Sequence, residues 1–410
     1  MTSPPRMARN LVWLALGDAV SRGGVFLYAL LVARSLGPEA FGVFSLAQST
    51  ALYVWIGVDL GVNLYGAREI AKAGSGWRPV AAELFGLRLA ASGVMAALYV
   101  MVTFLLAPRQ AVAALVASTF YLVANALSLD WAAKGLERFH VTALGSAASA
   151  ACALAGYFFL VADRPDPSVA VAVWGCAYAA GALVMLVGLR GGAGTVRPSF
   201  RPAPWRRHLS ASLFFAASGA LLSAIQYAPV LALTIRGGFE DLGGFSAAAR
   251  IVTVIMSAGF LVPMAMYPLL SREAGEGSDA LARRSRLLRN VMGLSGTLAG
   301  VLLFALAGPV VSLLYGAQYH ASTLPLRLLA LVVPLVFLRY SAGSVLLASG
   351  RQVAHSKASL VGLVVTAAAC AAAVPRWGTV GASAAWIAGE AVVAVLMLWV
   401  AAGLRTGRHG

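Results

Sequence analysis

The sequence predicts an all-α integral membrane protein of about 12 transmembrane helices, arranged as two parallel-repeat six-helix lobes around a central cavity. Three observations predict this class. Hydrophobic residues make up 60% and charged residues 11% of the 410 positions, whereas soluble domains are about 45–50% apolar and about 25% charged. Twelve apolar stretches are long enough to cross a bilayer. One motif also recurs at half the chain length, as in transporters built from repeats.

Each apolar stretch is continuous over about 20 residues, the length at which a helix crosses about 30 Å of hydrocarbon. Continuous runs favour helices over the strands of a membrane barrel, in which apolar and polar residues alternate. The predicted spans are 10–33, 41–65, 80–106, 111–130, 141–162, 168–189, 209–235, 243–269, 287–307, 323–348, 356–375 and 379–402.

The basic residues predict how these spans are oriented. With the N-terminus in the cytoplasm, 21 of the 31 Lys and Arg fall in cytoplasmic segments, five fall on the opposite side and five lie within spans. This asymmetry follows the positive-inside rule and supports the count of twelve. The net charge of +16 is therefore a topology signal. No nucleic-acid partner is expected, because that would need a basic patch on a soluble domain.

The predicted domain organisation is two six-helix lobes joined by a cytoplasmic linker. Residues 1–192 form the N-terminal lobe with helices one to six, and residues 209–410 form the C-terminal lobe with helices seven to twelve. The linker, 193–208, lies in a stretch rich in Gly, Pro and Arg that lacks apolar periodicity. The other connections are too short to hold a soluble catalytic domain.

A repeated motif supports the two-lobe organisation. The segment 33–49, ARSLGPEAFGVFSLAQS, is echoed 201 positions later by 234–250, TIRGGFEDLGGFSAAAR. Six spans separate the copies, so both have the same orientation and the lobes are expected to be parallel repeats. Gly37-Pro38 and Gly237-Gly238 should break the helix at the outer face. The alternative is a favourable turn used twice.

The segment 33–49 also resembles the helix 1–2 signature of Wzx-type flippases, the polysaccharide biosynthesis proteins of the superfamily that includes MATE exporters and lipid II flippases. Further matching stretches are 59–73, 130–139, 243–252, 267–272 and 313–339. Many relatives have fourteen spans rather than twelve. The resemblance implies two bundles around a cavity that opens alternately to either side.

The function implied by this resemblance is translocation of a polyprenyl-pyrophosphate-linked oligosaccharide, for O-antigen, capsule or similar polysaccharide biosynthesis. The implied location is the bacterial cytoplasmic (inner) membrane, with both termini cytoplasmic. Besides this lipid-linked substrate and the membrane lipids, a polymerase or a chain-length regulator is an expected partner.

Four arginines inside predicted spans are the candidate substrate-binding residues. A charge in hydrocarbon costs at least about 2.5–3.5 kcal/mol, so such residues usually face a cavity or a bundle interior. Guanidinium groups bind phosphate oxygens bidentately, which suits the diphosphate of the implied substrate. The alternative is that an internal partner neutralises each arginine, which then only fixes packing. The candidates are Arg22, Arg250, Arg88 and Arg339.

Three carboxylates within spans, Asp18, Asp59 and Glu390, are candidates for ion coupling or for charge partners of the arginines. Asp18 and Arg22 are four apart and share a helix face. No lysine completes a phosphate-binding loop, so coupling to protons, sodium or the membrane potential is expected instead of ATP hydrolysis. Three scattered cysteines without CxxC spacing give no metal site or disulfide framework, and no cofactor is expected.

Two other functions compete with the flippase. A MATE-like ion-coupled exporter of small cationic molecules would favour carboxylates and aromatics over arginines in its cavity. A membrane-bound polymerase or acyltransferase would need a large outer loop or histidines near the bilayer, yet the five histidines fall in loops or at span ends. The sequence therefore predicts a transporter rather than an enzyme, with no catalytic residue.

Overall fold

The computed structural model describes residues 4–190, 195–236, 238–276 and 278–403. Within these ranges the side chains of 4–12, 14–16, 18, 213–219, 275–276 and 278–279 are not described. The described residues form helices, turns and short connections, with no strand. The all-α fold class is therefore confirmed.

The chain divides into two compact units, Met1–Ala217 and Ser218–Gly410. In the first unit α1, α4, α6 and α7 pack against one another, and a short π-helical segment, Tyr157–Val161, extends α6. The helices of this unit are α1 (Pro4–Asp59), α2 (Val62–Ala73), α3 (Trp77–Leu106), α4 (Arg109–Ala126), α5 (Asp130–Gly135), α6 (Phe139–Gly156), α7 (Pro167–Gly188) and the first part of α8 (Pro202–Arg236).

The second unit contains the rest of α8 and is organised around α13, which packs against α9, α10 and α14. Its remaining helices are α9 (Phe239–Glu276), α10 (Ser278–Ala305), α11 (Ala307–Tyr315), α12 (Thr323–Ala330), α13 (Val332–Ala348) and α14 (Gln352–Gly403).

Two long helices are each a pair of predicted spans joined at a kink. Gly37 has φ 73° inside α1, and Gly378 has φ 52° inside α14. Both values lie in the left-handed region that only glycine adopts without strain. Pro38 and Pro375 add a second reason for each break, since proline lacks the N–H that the helix ladder needs. The predicted break at Gly37-Pro38 is confirmed, while Gly237 lies outside the described residues.

Every predicted span falls mainly on helix, so the structure places helical residues where the sequence predicts them. By length and apolar composition, eight helical units of the described chain are able to cross a membrane, and some contain more than one predicted span. The count of twelve crossings stays a prediction. Large apolar side chains are exposed on these helices, including Leu106 at 80% and Phe159 at 84%. Such surfaces suit lipid, and the chain is a multi-pass membrane protein.

The two copies of the repeated motif have the same burial in their respective units. Phe44 and Phe245 are fully buried, as are Ala47 and Ala248. The aligned hydroxyls, on Ser45 and Ser246, are both buried without a hydrogen-bond partner among the described residues. Matching burial at three aligned positions supports a structural repeat beyond a shared turn.

The division between the units lies within α8, whereas the sequence places the joint in the linker 193–208. The described part of the linker packs on the first unit, because backbone and side-chain groups after residue 195 bond to α3. Ser199 N–H donates to the Ala82 carbonyl at 2.8 Å, and Trp205 Nε1 donates to the Glu83 carbonyl at 3.1 Å. The described part of the linker therefore packs as part of the first unit.

Candidate functional site

In the first unit, one predicted arginine and one predicted carboxylate form an ion pair. Arg88 Nη2 lies 3.3 Å from Asp59 Oδ1, and Arg88 Nη1 donates to the Ser128 carbonyl at 3.2 Å. The guanidinium carbon also lies 4.6 Å from the centre of the Trp55 ring. Arg88 is only 2% exposed. Its charge is thus matched by a carboxylate, a carbonyl and an aromatic face.

The chain folds so that these groups meet at helix ends. Asp59 is the last residue of α1, and the turn after it runs through Leu60 and Gly61, both with positive φ. Asn63, in the first turn of α2, donates to Asp59 Oδ1 at 2.6 Å. Ser128 follows the end of α4. A single arginine on α3 therefore joins the ends of two other helices.

The second unit contains a comparable pair. Arg339 Nε donates to Glu390 Oε2 at 2.7 Å, joining α13 to the second half of α14. Both residues are buried, with 6% and 1% exposure respectively. The Arg339 guanidinium carbon lies 4.9 Å from the centre of the Tyr340 ring. A short, buried, charge-assisted bond of this kind is costly to break.

These pairs bring together residues that the sequence assigns to separate roles. Arg88 and Arg339 are predicted for substrate binding, and Asp59 and Glu390 for ion coupling or as charge partners. The contacts are those of charge partners inside each unit. The pairing does not test diphosphate binding or ion coupling, and both roles stay predictions.

Arg250 has different surroundings. It lies on α9, half-buried, and its charge acts on the hydroxyls of Tyr227, Tyr315 and Tyr319. These tyrosines come from α8, from the end of α11 and from the short helical turn after it. The rings of Tyr315 and Tyr319 are 5.2 Å apart, centre to centre. Arg250 and these three phenol groups are therefore close enough to interact electrostatically.

The Tyr315 hydroxyl is the best-defined member of this cluster. It is buried and has no hydrogen-bond partner among the described residues. Tyr315 lies between two predicted spans, and burial raises the pKa of its hydroxyl to about 12, although the nearby charge of Arg250 opposes the shift. The hydroxyl therefore keeps its proton at physiological pH and is available as a donor.

Arg22 and Asp18 both lie on α1, in the first unit. Arg22 is exposed, and it directly follows Ser21, which lines a cavity. The side chain of Asp18 lies outside the described residues, so the predicted pairing of these two residues stays a prediction. The four candidate arginines thus fall into two classes: two are buried in ion pairs, and Arg22 and Arg250 are more accessible.

The cavity beside Ser21 lies inside the first unit, among α1, α4, α5, α6 and α7. Its volume is about 210 Å³, and hydroxyl and amide side chains line much of it. Neither this cavity nor the tyrosines around Arg250 are predicted from the sequence. The signal that was present in the sequence is the spacing of Thr142, Ser146 and Ser149, which places three hydroxyls on one face of α6.

Metal-binding side chains are not clustered in the part of the chain that the structure describes: it contains no group of three or more His, Cys, Asp or Glu that could hold an ion. Cys152, Cys176 and Cys370 are free thiols.

Comparison with known sequences gives one family. Residues 7–273 match the family described as polysaccharide biosynthesis protein. A putative O-antigen transporter of Escherichia coli K12 is 26% identical over 280 residues, which is 66% of this chain and 66% of that protein. The match thus spans slightly less than two thirds of the relative's length.

Comparison with solved structures gives the fold. An inward-facing multidrug resistance MATE family transporter of the MOP superfamily superposes with a TM-score of 0.77, at 16% identity, over 98% of this chain and 100% of its own. The lipid II flippase MurJ in an inward closed conformation superposes with a TM-score of 0.76, at 10% identity, over 95% of this chain and 87% of its own. These chains share the architecture, which is common to drug exporters and lipid flippases.

Proposed function

The chain belongs to the polysaccharide biosynthesis protein family, and from that membership we propose that it is a flippase for a polyprenyl-pyrophosphate-linked oligosaccharide. It would move this substrate across the bacterial cytoplasmic membrane by alternating access, with both termini in the cytoplasm. The observation that carries the proposal is the family match over residues 7–273. The relative described as a putative O-antigen transporter points to the same substrate class.

The substrate's chemistry explains why arginines matter here. A lipid-linked oligosaccharide carries a diphosphate between its lipid and its sugars, and this charge must cross the membrane together with both. Guanidinium groups stay protonated at any ordinary pH and bind phosphate oxygens bidentately. Arg250 combines such a group with the donor hydroxyl of Tyr315. We assign a diphosphate contact to Arg250 in the second unit, and Arg22 in the first unit stays a candidate for the same role.

Arg88 and Arg339 have a narrower role in this proposal. Their guanidiniums already bond to Asp59 and Glu390, so a phosphate would have to displace a carboxylate from a buried pair. Exchanging one anion for another in a desolvated site brings little net gain. We infer that these two arginines fix the packing on which the substrate path depends.

The energy source would be an ion gradient or the membrane potential. Protons, sodium or the potential itself are the candidates, and Asp18, Asp59 and Glu390 are the candidate carboxylates for ion coupling. A polymerase or a chain-length regulator that acts on the exported glycan is the expected protein partner. The MATE-like fold neighbour fits a drug exporter equally well in architecture, but at 16% identity it supports the fold alone.

The test is export of lipid-linked glycan in a flippase-null strain that produces the chain. We expect the wild type to restore surface glycan and Arg250→Ala to abolish export while the protein still inserts into the membrane. Arg272→Ala is the matched control, because Arg272 is exposed on the same helix, α9. Normal export by well-expressed Arg250→Ala would overturn the role of Arg250. Resistance to cationic dyes without glycan export would favour the exporter instead.

A further inference from the structure

The cavity of the first unit has the size and the polar lining of a binding site rather than of a packing defect. Its volume of about 210 Å³ corresponds to roughly seven water molecules at about 30 Å³ each. Packing defects in apolar cores are smaller or are lined by aliphatic groups. This cavity is lined by side-chain hydroxyls and an amide, including those of Ser21, Asn125, Thr142, Ser146 and Ser149.

Three buried polar atoms of residues lining this cavity have no hydrogen-bond partner among the described residues. They are Trp174 Nε1, Thr142 Oγ1 and Asp130 Oδ1. Trp174 is only 2% exposed, so its N–H has been taken out of bulk water. A buried polar group without a partner costs about 1–3 kcal/mol. A bound molecule whose polar groups reach these atoms would remove that cost.

The mixture of donors and acceptors defines the class of that molecule. The Trp174 N–H can only donate, and the Asp130 carboxylate can only accept. A bare cation would leave the donor unsatisfied, and an anion would leave the acceptor unsatisfied. A neutral compound with several hydroxyl groups satisfies both. The carboxylate is also already neutralised, because Asp130 Oδ2 lies 2.5 Å from Lys134 Nζ.

The aromatic side chains at the cavity are held rigidly. The rings of Trp174 and Tyr121 stack with centres 4.0 Å apart, and the Tyr178 ring meets Trp174 edge-on at 5.6 Å. Asn125 Nδ2 donates to the Tyr121 hydroxyl at 2.9 Å, which fixes the orientation of the amide. Rigid aromatic surface beside fixed polar groups suits a ligand with apolar C–H faces and polar edges.

We propose that this cavity binds a single neutral sugar ring, as the first-unit subsite for the glycan of the lipid-linked substrate. This inference rests on the proposed flippase function. The volume of the cavity fits one sugar ring, because it is on the scale of one pyranose and below the roughly 300–1,000 Å³ of sites for drug-sized molecules. Sugar hydroxyls bond to Trp174 Nε1, Thr142 Oγ1 and Asp130 Oδ1, and the C–H face of the ring packs on aromatic surface.

The test uses the purified full-length chain in detergent and free glucose, galactose, rhamnose and N-acetylglucosamine as probes. Saturation-transfer NMR reports which sugars bind, and titration gives their dissociation constants. Ser146→Leu fills the cavity from α6. Ala147→Leu is the matched control, because Ala147 is the next residue on the same helix and is exposed. Thr142→Val removes one hydroxyl and keeps a similar shape.

We expect at least one sugar to bind to the wild type and to the Ala147→Leu variant. Ser146→Leu should abolish the signal, and Thr142→Val should weaken binding about five- to tenfold, the effect of losing one hydrogen bond to a buried group. Absence of binding for all four sugars, or binding unchanged in Ser146→Leu, would overturn the proposal. Stabilisation by sodium alone, lost in Ser146→Leu, would identify a cation site and overturn it as well.

Translocation by the wild type, measured separately in the flippase-null strain, distinguishes this inference from the proposed function. If glycan is exported but no sugar binds in the cavity, the subsite is wrong and the flippase function stands. If no glycan is exported in hosts that make substrates containing the sugars tested, the flippase function fails, whatever the cavity binds. The sugar subsite and the flippase function are both supported if Ser146→Leu reduces export and sugar binding while Ala147→Leu retains both.

Discussion

Arg88 Nη2 lies 3.3 Å from Asp59 Oδ1, and this buried pair joins the middle of α3 to the end of α1. The same guanidinium bonds to the Ser128 carbonyl after α4, so three helices meet at one cation. The pair lies next to the left-handed turn at Leu60 and Gly61 that starts α2. The pair therefore links the end of α1, where the chain turns, to α3 and to the segment that follows α4.

Replacing Asp59 by Asn should destabilise the first unit, because it leaves the buried Arg88 without its closest carboxylate. Removing one partner of a buried ion pair costs about 3–5 kcal/mol. Asp130, a second carboxylate that acts on Arg88, should keep the loss near the lower end. Thermal unfolding in detergent measures the effect, with Asp163→Asn at an exposed position as the control.

Arg88→Gln combined with Asp59→Asn should recover at least half of that loss, because neither neutral side chain leaves a charge buried. A double variant as unstable as Asp59→Asn alone would contradict the charge-pair explanation and would instead indicate that the Ser128 contact dominates.

Glu390 offers a test between a structural role and an ion-coupling role. Glu390→Gln should lower stability, because the 2.7 Å bond to Arg339 loses its charge assistance in a buried site. The double variant Arg339→Gln with Glu390→Gln should regain stability and still transport with the ion dependence of the wild type. If the double variant is stable but its transport no longer depends on pH or sodium, ion coupling would be assigned to Glu390.

The parts of the fold that follow from local chemistry were predictable from the sequence. Continuous apolar runs predict the helices, and Gly37-Pro38 predicts the kink in α1, because both signals act within a few residues. The N-terminus of α7 is another local case. The Asp166 carboxylate accepts from the N–H groups of Ser168 and Val169, with Pro167 in the first turn.

The side-chain partners were not predictable in the same way. Within a helix, spacing identifies neighbours only at three or four residues, as for Asp18 and Arg22. Arg339 and Glu390 are 51 positions apart and meet only because α13 packs on α14. Nothing in the local sequence indicates such a contact. The candidate list therefore contained residues that meet in the fold without indicating how they pair, and it did not include the tyrosines around Arg250.

Gly86 should be essential for the packing of the linker against α3. A Cβ at this position would clash with the backbone of Ser199, whose N–H bonds to the Ala82 carbonyl. Gly86→Ala should therefore raise the hydrogen-exchange rate of the Ser199 amide by about tenfold or more, since that bond protects it. Gly93→Ala is the matched control, because Gly93 lies on the same helix and nothing lies within 4 Å of its Cβ position. Equal protection in both variants would show that the linker does not depend on this contact.

Tyr315→Phe distinguishes a hydroxyl that serves a ligand from one that serves the fold. Since the Tyr315 hydroxyl is buried without a partner in the described structure, its removal should leave the free energy of unfolding unchanged or slightly raised. Tyr99→Phe is the contrasting variant, because the Tyr99 hydroxyl bonds to Thr50 at 2.6 Å and Ser118 at 3.1 Å, and it should lose about 1–3 kcal/mol.

The two variants should rank in the opposite order for pyrophosphate binding, with Tyr315→Phe the more affected. Inorganic pyrophosphate should bind about two- to tenfold more weakly to Tyr315→Phe than to the wild type, since one hydrogen bond near Arg250 is lost, and should bind equally well to Tyr99→Phe. Because the pKa of Tyr315 is raised to about 12 in the folded chain, against about 10 when unfolded, the hydroxyl is protonated in both states between pH 6 and 9. The difference in affinity should therefore be constant over that range. A difference that disappears as the pH rises from 6 to 9 would show that a group other than Tyr315 controls the site.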